Sequence, residues 1–343
     1  MQLPIASAVR LPPPVRDEGP LVDAQGRRIS YLRVSVTDRC NFRCVYCSPS
    51  NWAGKLDLLS AEEIVRLVSV FSAMGVTRVR LTGGEPLLRD DLPEIARGIA
   101  ALPGIGEVCL TTNGHRLDAL ARELARAGVS VVNVSLDTVD AEGFRGVTKK
   151  GDVARVIGGI EAASHAGFAR LGVNAVVLGG RNDSPAELAA LARLAWRLCA
   201  VPRFIELMPF AGAGELVPSA EVRRRLAMEG IECEPAGSRE GAGPASYWRA
   251  VDRGHAAGEV GFIGAMTESF CTRCNRVRLA ATGELRACLG GRDQVPLAPL
   301  LRAGASDDDL ESAIRSALAA KWEGHRFVED GPRGLLPMMG IGG

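Results

Sequence analysis

Leu32-Arg-Val-Ser-Val-Thr-Asp-Arg-Cys40-Asn-Phe-Arg-Cys44-Val-Tyr-Cys47 is a short apolar run that opens into a loop with three cysteines. The run itself, Leu32–Val36, has strand length and composition. It decides the fold because the same step recurs. Ser60–Ala73 reads as the helix after it, followed by Arg78–Leu81 with Leu92–Ala101, Val108–Thr111 with Leu117–Ala127, and Val131–Leu136 with Val153–Ala166. Leu171–Leu178 with Pro185–Leu198 and then Phe204–Leu207 complete the series. Six βα-type steps predict parallel strands joined by helical crossovers. Ser60 with Glu63, and Ser184 with Glu187, have capping-box spacing, and Pro185 suits a first helical position.

After Met208 the rhythm changes, with frequent Gly and Pro and short strand candidates at Ser246–Val251 and Val260–Ile263. Arg276–Ala281 and Leu285–Leu289 flank Thr282-Gly283 as a hairpin, and Asp307–Trp322 reads as a helix. The expected fold is α/β: a partial (β/α)6 TIM-like barrel over residues 29–210. A loose arm over 1–28 precedes it, and a smaller α+β region over 211–343 closes the barrel mouth. In such barrels the chemistry gathers at the C-terminal ends of the strands.

Composition sets the outer bounds. Of 343 residues, 47% are hydrophobic and 24% charged, which supports a large core and argues against disorder. Lys plus Arg (41) nearly balances Asp plus Glu (40), so bulk charge excludes a strongly basic nucleic-acid binder. No apolar run approaches the ~18 residues of a membrane span, and Pro12, Pro13 and Pro14 interrupt any signal-like segment. The expectation is a cytoplasmic protein with neither nucleic acid nor membrane as partner. Nine cysteines in that compartment are not expected to form disulfides. Cys109, Cys199 and Cys233 stand alone and read as small core residues. His115, His165, His255 and His325 have no ligand-like spacing and read as surface or loop residues.

The remaining six cysteines form two trios. Cys40, Cys44 and Cys47 are spaced C-x3-C-x2-C; Cys271, Cys274 and Cys288 are spaced C-x2-C-x13-C. Three thiolates around a four-iron cubane leave one iron open to a ligand. The competing reading, structural zinc, calls for four closed ligands, and no fourth Cys or His lies near the first trio. Gly83-Gly84 follows the second strand, where missing side chains permit close backbone approach to a ligand. Asn133, Ser135 and Asp137 share one face of the fourth strand by period-two alternation. Arg276 and Arg278 likewise share a face just beyond Cys274, and paired guanidinium groups suit phosphate. The chain has 37 Arg against 4 Lys, so an Arg pair alone is weak evidence.

The first trio, with Tyr46 between its last two cysteines and Thr82-Gly83-Gly84-Glu85-Pro86 downstream, resembles the signature of the radical S-adenosylmethionine enzymes. The resemblance implies that the open iron holds S-adenosylmethionine and that one-electron reduction yields a 5′-deoxyadenosyl radical. It further implies that Tyr46, Gly84, Ser135 and Met208 contact S-adenosylmethionine.

Both trios together, with Arg80-Leu-Thr-Gly-Gly-Glu-Pro86, Cys274-Asn-Arg-Val-Arg278 and a Gly-Gly terminus, resemble the GTP 3′,8-cyclase family of molybdenum cofactor biosynthesis. That resemblance runs from about Tyr31 to Gly343. It implies two [4Fe-4S] clusters, held by Cys40, Cys44, Cys47 and by Cys271, Cys274, Cys288. It implies a lyase that abstracts the ribose 3′ hydrogen of GTP and joins that carbon to guanine carbon 8. The product would be (8S)-3′,8-cyclo-7,8-dihydroguanosine 5′-triphosphate. Arg33, Arg80, Thr111, Arg276 and Arg278 match triphosphate-binding positions, and Gly342 and Gly343 match a catalytic tail that enters the site. An electron donor protein and, through the product, cyclic pyranopterin monophosphate synthase are the implied partners; a homodimer is compatible. One position departs from the family pattern: Gly172 stands where the family has a phosphate-contacting Lys. Arg170, on the same strand face, is expected to substitute for it. The rival readings are another radical S-adenosylmethionine enzyme with an auxiliary cluster, such as a peptide modifier, and a non-enzymatic metal-binding protein.

Overall fold

The computed structural model describes residues 19–47, 57–210, 214–236, 243–291, 293–325, 327 and 338. Gly342 and Gly343, and the first eighteen residues of the expected arm, lie outside these. Six parallel strands form the centre: β1 (Tyr31–Ser35), β2 (Arg78–Thr82), β3 (Glu107–Thr112), β4 (Val129–Ser135), β5 (Arg170–Gly179) and β6 (Val201–Glu206). They lie side by side in sequence order, each paired parallel to the next. Between them run α1 (Ala61–Ala73), α2 (Leu92–Ala100), α3 (Leu117–Arg126), α4 (Ala141–Thr148), α5 (Val153–Ser164) and α6 (Pro185–Arg197). The six-step partial barrel is therefore observed, and the sheet is not closed.

Local chemistry explains the boundaries. Ser60 caps α1 through a complete capping box with Glu63. Ser184 accepts from the Glu187 amide and Pro185 opens α6. Helix α4 was not expected from the pattern; Asp140 caps it and Lys149 ends it in the left-handed region at φ 64°.

The C-terminal region does more than close a mouth. After β7 (Glu215–Leu216) and α7 (Ser219–Met228) come β8 (Ile231–Pro235), β9 (Ser246–Asp252) and β10 (His255–Ile263). β10 pairs parallel to β6 and extends that edge of the sheet. Beyond it, β11 (Arg276–Leu279) pairs parallel to β1 and extends the opposite edge. The hairpin expected at Thr282-Gly283 joins β11 to β12 (Glu284–Arg286), with β13 (Val295–Pro296) outside it. Helices α8 (Leu297–Arg302) and α9 (Asp307–Ala319) complete the described fold.

Residues 19–28 are not loose. Leu21 and Ile29 are fully buried, and Val22 bridges to Arg28. The lone cysteines divide: Cys109 is buried, Cys233 half-buried, and Cys199 exposed. Cys199 lies just past α6 at φ 53°, in a turn that takes it out of the core.

The strands' two faces differ in kind. On β1, Leu32 and Val34 are fully buried in the apolar layer beneath the helices, while Tyr31 and Arg33 line an internal cavity. β2 repeats this with Val79 and Leu81 in the core, and Arg78 and Arg80 on the cavity. Central parallel strands are ordinarily apolar on both faces. Polar inner faces mean that this barrel encloses a chamber rather than a packed core.

Candidate active site

The cavity has a volume of about 630 Å³, and all six clustered cysteines line it. Topology puts the trios at opposite ends. Cys40, Cys44 and Cys47 follow β1, at the C-terminal end of the parallel strands. Cys271 and Cys274 precede β11, whose first residue, Arg276, is the register partner of Tyr31 at the start of β1. Cys288 follows β12, which runs antiparallel to β11 and so returns to the same end. The second trio thus sits at the N-terminal end, not at the mouth where the sequence placed the chemistry. From Tyr31 to Ser35 the chain rises about 13 Å, which leaves nucleotide-sized space between the trios.

The first trio is held by backbone contacts and by Arg43, whose guanidinium donates to Cys40 O (2.7 Å) and Phe42 O (2.9 Å). Arg43 N donates to Thr148 O (2.9 Å) and Val45 N to Val147 O (3.0 Å), tying the loop to the end of α4. Gly84 N donates to Thr37 O and Glu85 N to Arg39 O, both at 2.7 Å. A Cβ on Gly84 would stand 2.2 Å from Arg39 O. The glycine pair therefore permits close approach to the chain's own loop. Burial pushes the Cys40 thiol up to about 11. Burial, then Asp137 and the neighbouring thiols, pushes Cys44 well upward. Tyr46 Oη donates to Asp137 Oδ2 (2.9 Å), and Val176 N donates to Asp137 Oδ1 (2.9 Å). Burial raises Asp137 to about 6 and Glu85 to about 7. Glu85 accepts from Thr112 Oγ1, Asn113 N and Leu87 N.

The second trio meets cations instead. The Arg276 guanidinium lies 4.7 Å from the centre of the Phe270 ring and 3.7 Å from Cys274 Sγ. Burial opposes ionisation of Cys274, but Arg276 and Lys321 hold its thiol below the usual value.

Between the trios lies an arginine row. Arg278, Arg33 and Arg80 are successive register partners across β11, β1 and β2. Arg80 donates to Leu110 O (3.0 Å), Thr111 Oγ1 (3.2 Å) and the Tyr31 hydroxyl. Burial, with Arg278, Arg80 and Arg276 adding like-charge repulsion, depresses Arg33 well below its ordinary value. Burial and Arg276 bring Arg278 down to about 10. Buried cations crowded together make a site that favours an anion.

Two family profiles together cover most of the chain. The Radical SAM superfamily profile matches residues 34–194, and the Molybdenum Cofactor Synthesis C profile matches 201–327. A GTP 3′,8-cyclase of Pseudomonas entomophila is 44% identical over 332 residues, 94% of this chain and 98% of its own. Those of Pseudomonas putida W619 and Pelotomaculum thermopropionicum are each 43% identical over 94% of this chain, and over 98% and 99% of their own lengths. The chain belongs to the GTP 3′,8-cyclase family. Membership in the wider radical S-adenosylmethionine superfamily brings S-adenosylmethionine and an iron–sulfur cluster as cofactors.

The residues fit those cofactors. Tyr46, Gly84, Ser135 and Met208 all line the cavity at the first trio's end. Among the described residues no three His, Cys, Asp or Glu side chains converge on a single metal ion. Asn174 Oδ1 is buried on the cavity without a partner among the described residues.

Arg33, Arg80, Thr111, Arg276 and Arg278 all line the same cavity, as does Arg170. Arg170 is exposed, however, and pairs with Glu107, which also pairs with Arg78. The space above Gly172 belongs to other residues: a Cβ there would lie 2.8 Å from Asn133 Oδ1 and 3.5 Å from Arg203 Cδ.

The sequence reading missed Arg203. It is 8% exposed, it lines the cavity, and its Nε is buried without a partner among the described residues. Alternation in Val201-Pro-Arg-Phe204, with Phe204 in the core, could have flagged it. The expectation for His325 also changes, since its ring lines the cavity and stacks on Phe327 at 4.6 Å.

Proposed function

We propose that the chain converts GTP to (8S)-3′,8-cyclo-7,8-dihydroguanosine 5′-triphosphate, the first step of molybdenum cofactor biosynthesis. One observation carries this reading: two thiol trios and a buried arginine row face one chamber from its ends and its middle. In this reading both trios hold [4Fe-4S] clusters. When bound, the first cluster and S-adenosylmethionine supply one-electron radical chemistry.

The chain's own residues orient the reactants. Gly84 and Ser135 present backbone and hydroxyl groups to S-adenosylmethionine, and Tyr46 and Met208 pack against it. Asp137, at the first trio's end, complements a cationic sulfonium. Arg33, Arg80, Thr111, Arg276 and Arg278 take the triphosphate and so direct the guanine toward the second trio. Glu107 occupies the charge of Arg170, so we assign compensation for Gly172 to Arg203. Its stem runs between Gly172 and Gly261, where a Cβ on Gly261 would be 3.0 Å from Arg203 Cγ. Enclosure excludes water from the reacting atoms. An electron donor protein serves the first cluster, and cyclic pyranopterin monophosphate synthase consumes the product.

The test is anaerobic. Reconstituted protein is assayed for iron, then mixed with dithionite, S-adenosylmethionine and GTP. Expected are about eight irons per chain and GTP-dependent formation of 5′-deoxyadenosine with a cyclised product. 5′-Deoxyadenosine formed without loss of GTP would overturn the substrate assignment.

A further inference from the structure

Lys321 is one of four lysines, and it is 3% exposed. Its Nζ donates to Arg276 O (3.0 Å) and to Ala287 O. Those carbonyls flank the second trio: Arg276 is two residues beyond Cys274, and Ala287 immediately precedes Cys288. The same ammonium interacts electrostatically with Cys274 and Cys288.

Arg27 completes the arrangement from the N-terminal segment. It donates to Cys271 O (2.6 Å), Trp322 O (2.7 Å) and Glu323 O (2.7 Å). Its charge is matched by Asp23, 2.7 Å away. Arg27 therefore ties main chain to main chain, from Cys271 to the segment that carries Lys321. Lys321 differs: both of its hydrogen-bond partners are neutral carbonyls. A buried ammonium is costly unless a negative charge stands near it. Three thiolates outweigh the charge of an oxidised cubane core, so a loaded second site is anionic, and more so after gaining one electron.

We infer that Lys321 is a positioning residue for the second trio, clamping together the segments that carry Cys274 and Cys288 and holding a fixed positive charge against the cluster they bind. Arg27 secures the third cysteine by geometry. The inference rests on the two-cluster reading above. A fixed cation beside the cluster favours its reduced form. Removing it shifts the one-electron equilibrium toward the oxidised form.

The experiment is a dithionite potentiometric titration followed by electron paramagnetic resonance. It uses full-length, iron-reconstituted wild type, Lys321→Arg and Lys321→Gln. The first cluster is recognised by its change on adding S-adenosylmethionine and serves as an internal control. In Lys321→Gln the second signal should require a lower potential, with the oxidised-to-reduced ratio rising about tenfold at the wild-type midpoint, equivalent to about 59 mV for one electron. Lys321→Arg should restore the wild-type midpoint, and the first signal should not move. An unshifted second signal in Lys321→Gln overturns the inference. If Lys321→Gln loses the second cluster's iron, Lys321→Arg decides: retention with a wild-type midpoint supports a role for charge, and loss in both variants overturns it. A wild type with about four irons and no second signal would sink the two-cluster reading and this inference with it.

Discussion

The two thiol trios look into the same chamber, each with an arginine on a cysteine carbonyl, yet the charges around them differ. The first is fastened by backbone fit, with Arg43 donating to Cys40 O and Phe42 O inside the loop, and it is flanked by buried acids. Burial pushes up the Cys40 and Cys44 thiols, and Glu85 and Asp137 lie beside them. The second is fastened by cations reaching across to carbonyls, with Arg27, Arg276 and Lys321 around it. One end thus complements a positively charged ligand, and the other, with the arginine row, complements a negatively charged one. This difference supports the proposed placement of S-adenosylmethionine at the acidic end and of a nucleoside triphosphate against the cations.

The largest test of that division is removal of one thiol from each trio. Cys44→Ala should abolish 5′-deoxyadenosine formation. Cys274→Ala should retain about four irons and S-adenosylmethionine cleavage but give no cyclised product. If both variants fail to cleave S-adenosylmethionine, the two ends are not separable and the comparison breaks.

The contrast between backbone fit and side-chain clamp is tested by glycines. An added methyl at Gly84 must displace Arg39 O, which is main chain and cannot swing aside. Gly84→Ala should cost about 3 kcal/mol in denaturant unfolding, at the upper end of overpacking. At Gly291 the nearest atom to an added Cβ is Cys288 Cβ at 3.4 Å, an ordinary contact. Gly291→Ala should change stability little. Equal costs would mean that the second loop is as tightly fitted as the first.

These differences were unevenly legible in the sequence. Periodicity carried the parallel strands and crossover helices, because apolar runs alternating with capped helices have few other solutions. The trios announced themselves by spacing. What spacing cannot carry is direction. Cys274 and Arg276 look like any loop before a strand until β11 is known to pair parallel to β1, and only that pairing sends the second trio to the opposite end. Arg27 was hidden in a segment whose Pro and Gly content read as loose, although buried Leu21 and Ile29 anchor it. Arg203 was hidden because, in an arginine-rich chain, one arginine alternating with Phe204 on a strand is a weak signal. Only the glycines on both flanking strands show why its stem fits there.

The acidic end should also leave a pH signature. The carboxyl of Glu85 titrates at about 7 in the fold, raised by burial from an ordinary 4.5. The fold therefore favours the protonated form. That contribution is full below pH 4.5 and is lost as pH rises through about 7. Glu85→Gln keeps a neutral group and removes this part of the slope. Between pH 5 and pH 8 wild type should lose about 2 kcal/mol more stability than Glu85→Gln, measured by urea unfolding. Parallel slopes would mean that Glu85 is solvated and the first end is not the desolvated site described.

The smallest expected effect separates two arginines. Arg170 and Arg203 both line the chamber near Gly172, and the simplest reading would let either stand in for the family's lysine. Their surroundings differ. Arg170 is exposed and paired with Glu107, so a phosphate would have to displace a carboxylate to engage it. Arg203 is buried, its Nε lacks a partner among the described residues, and its stem lies against the space above Gly172. Burial lowers its pKa, which means that its charge is held at a cost an anion would relieve. Arg203→Met should therefore raise KM for GTP about tenfold, or ~1.4 kcal/mol, with S-adenosylmethionine cleavage in the absence of GTP unchanged. Arg170→Met should change KM less than about twofold, the scale of an exposed ion pair. The reverse result would place the compensating charge on Arg170 and require Glu107 to release it when GTP binds.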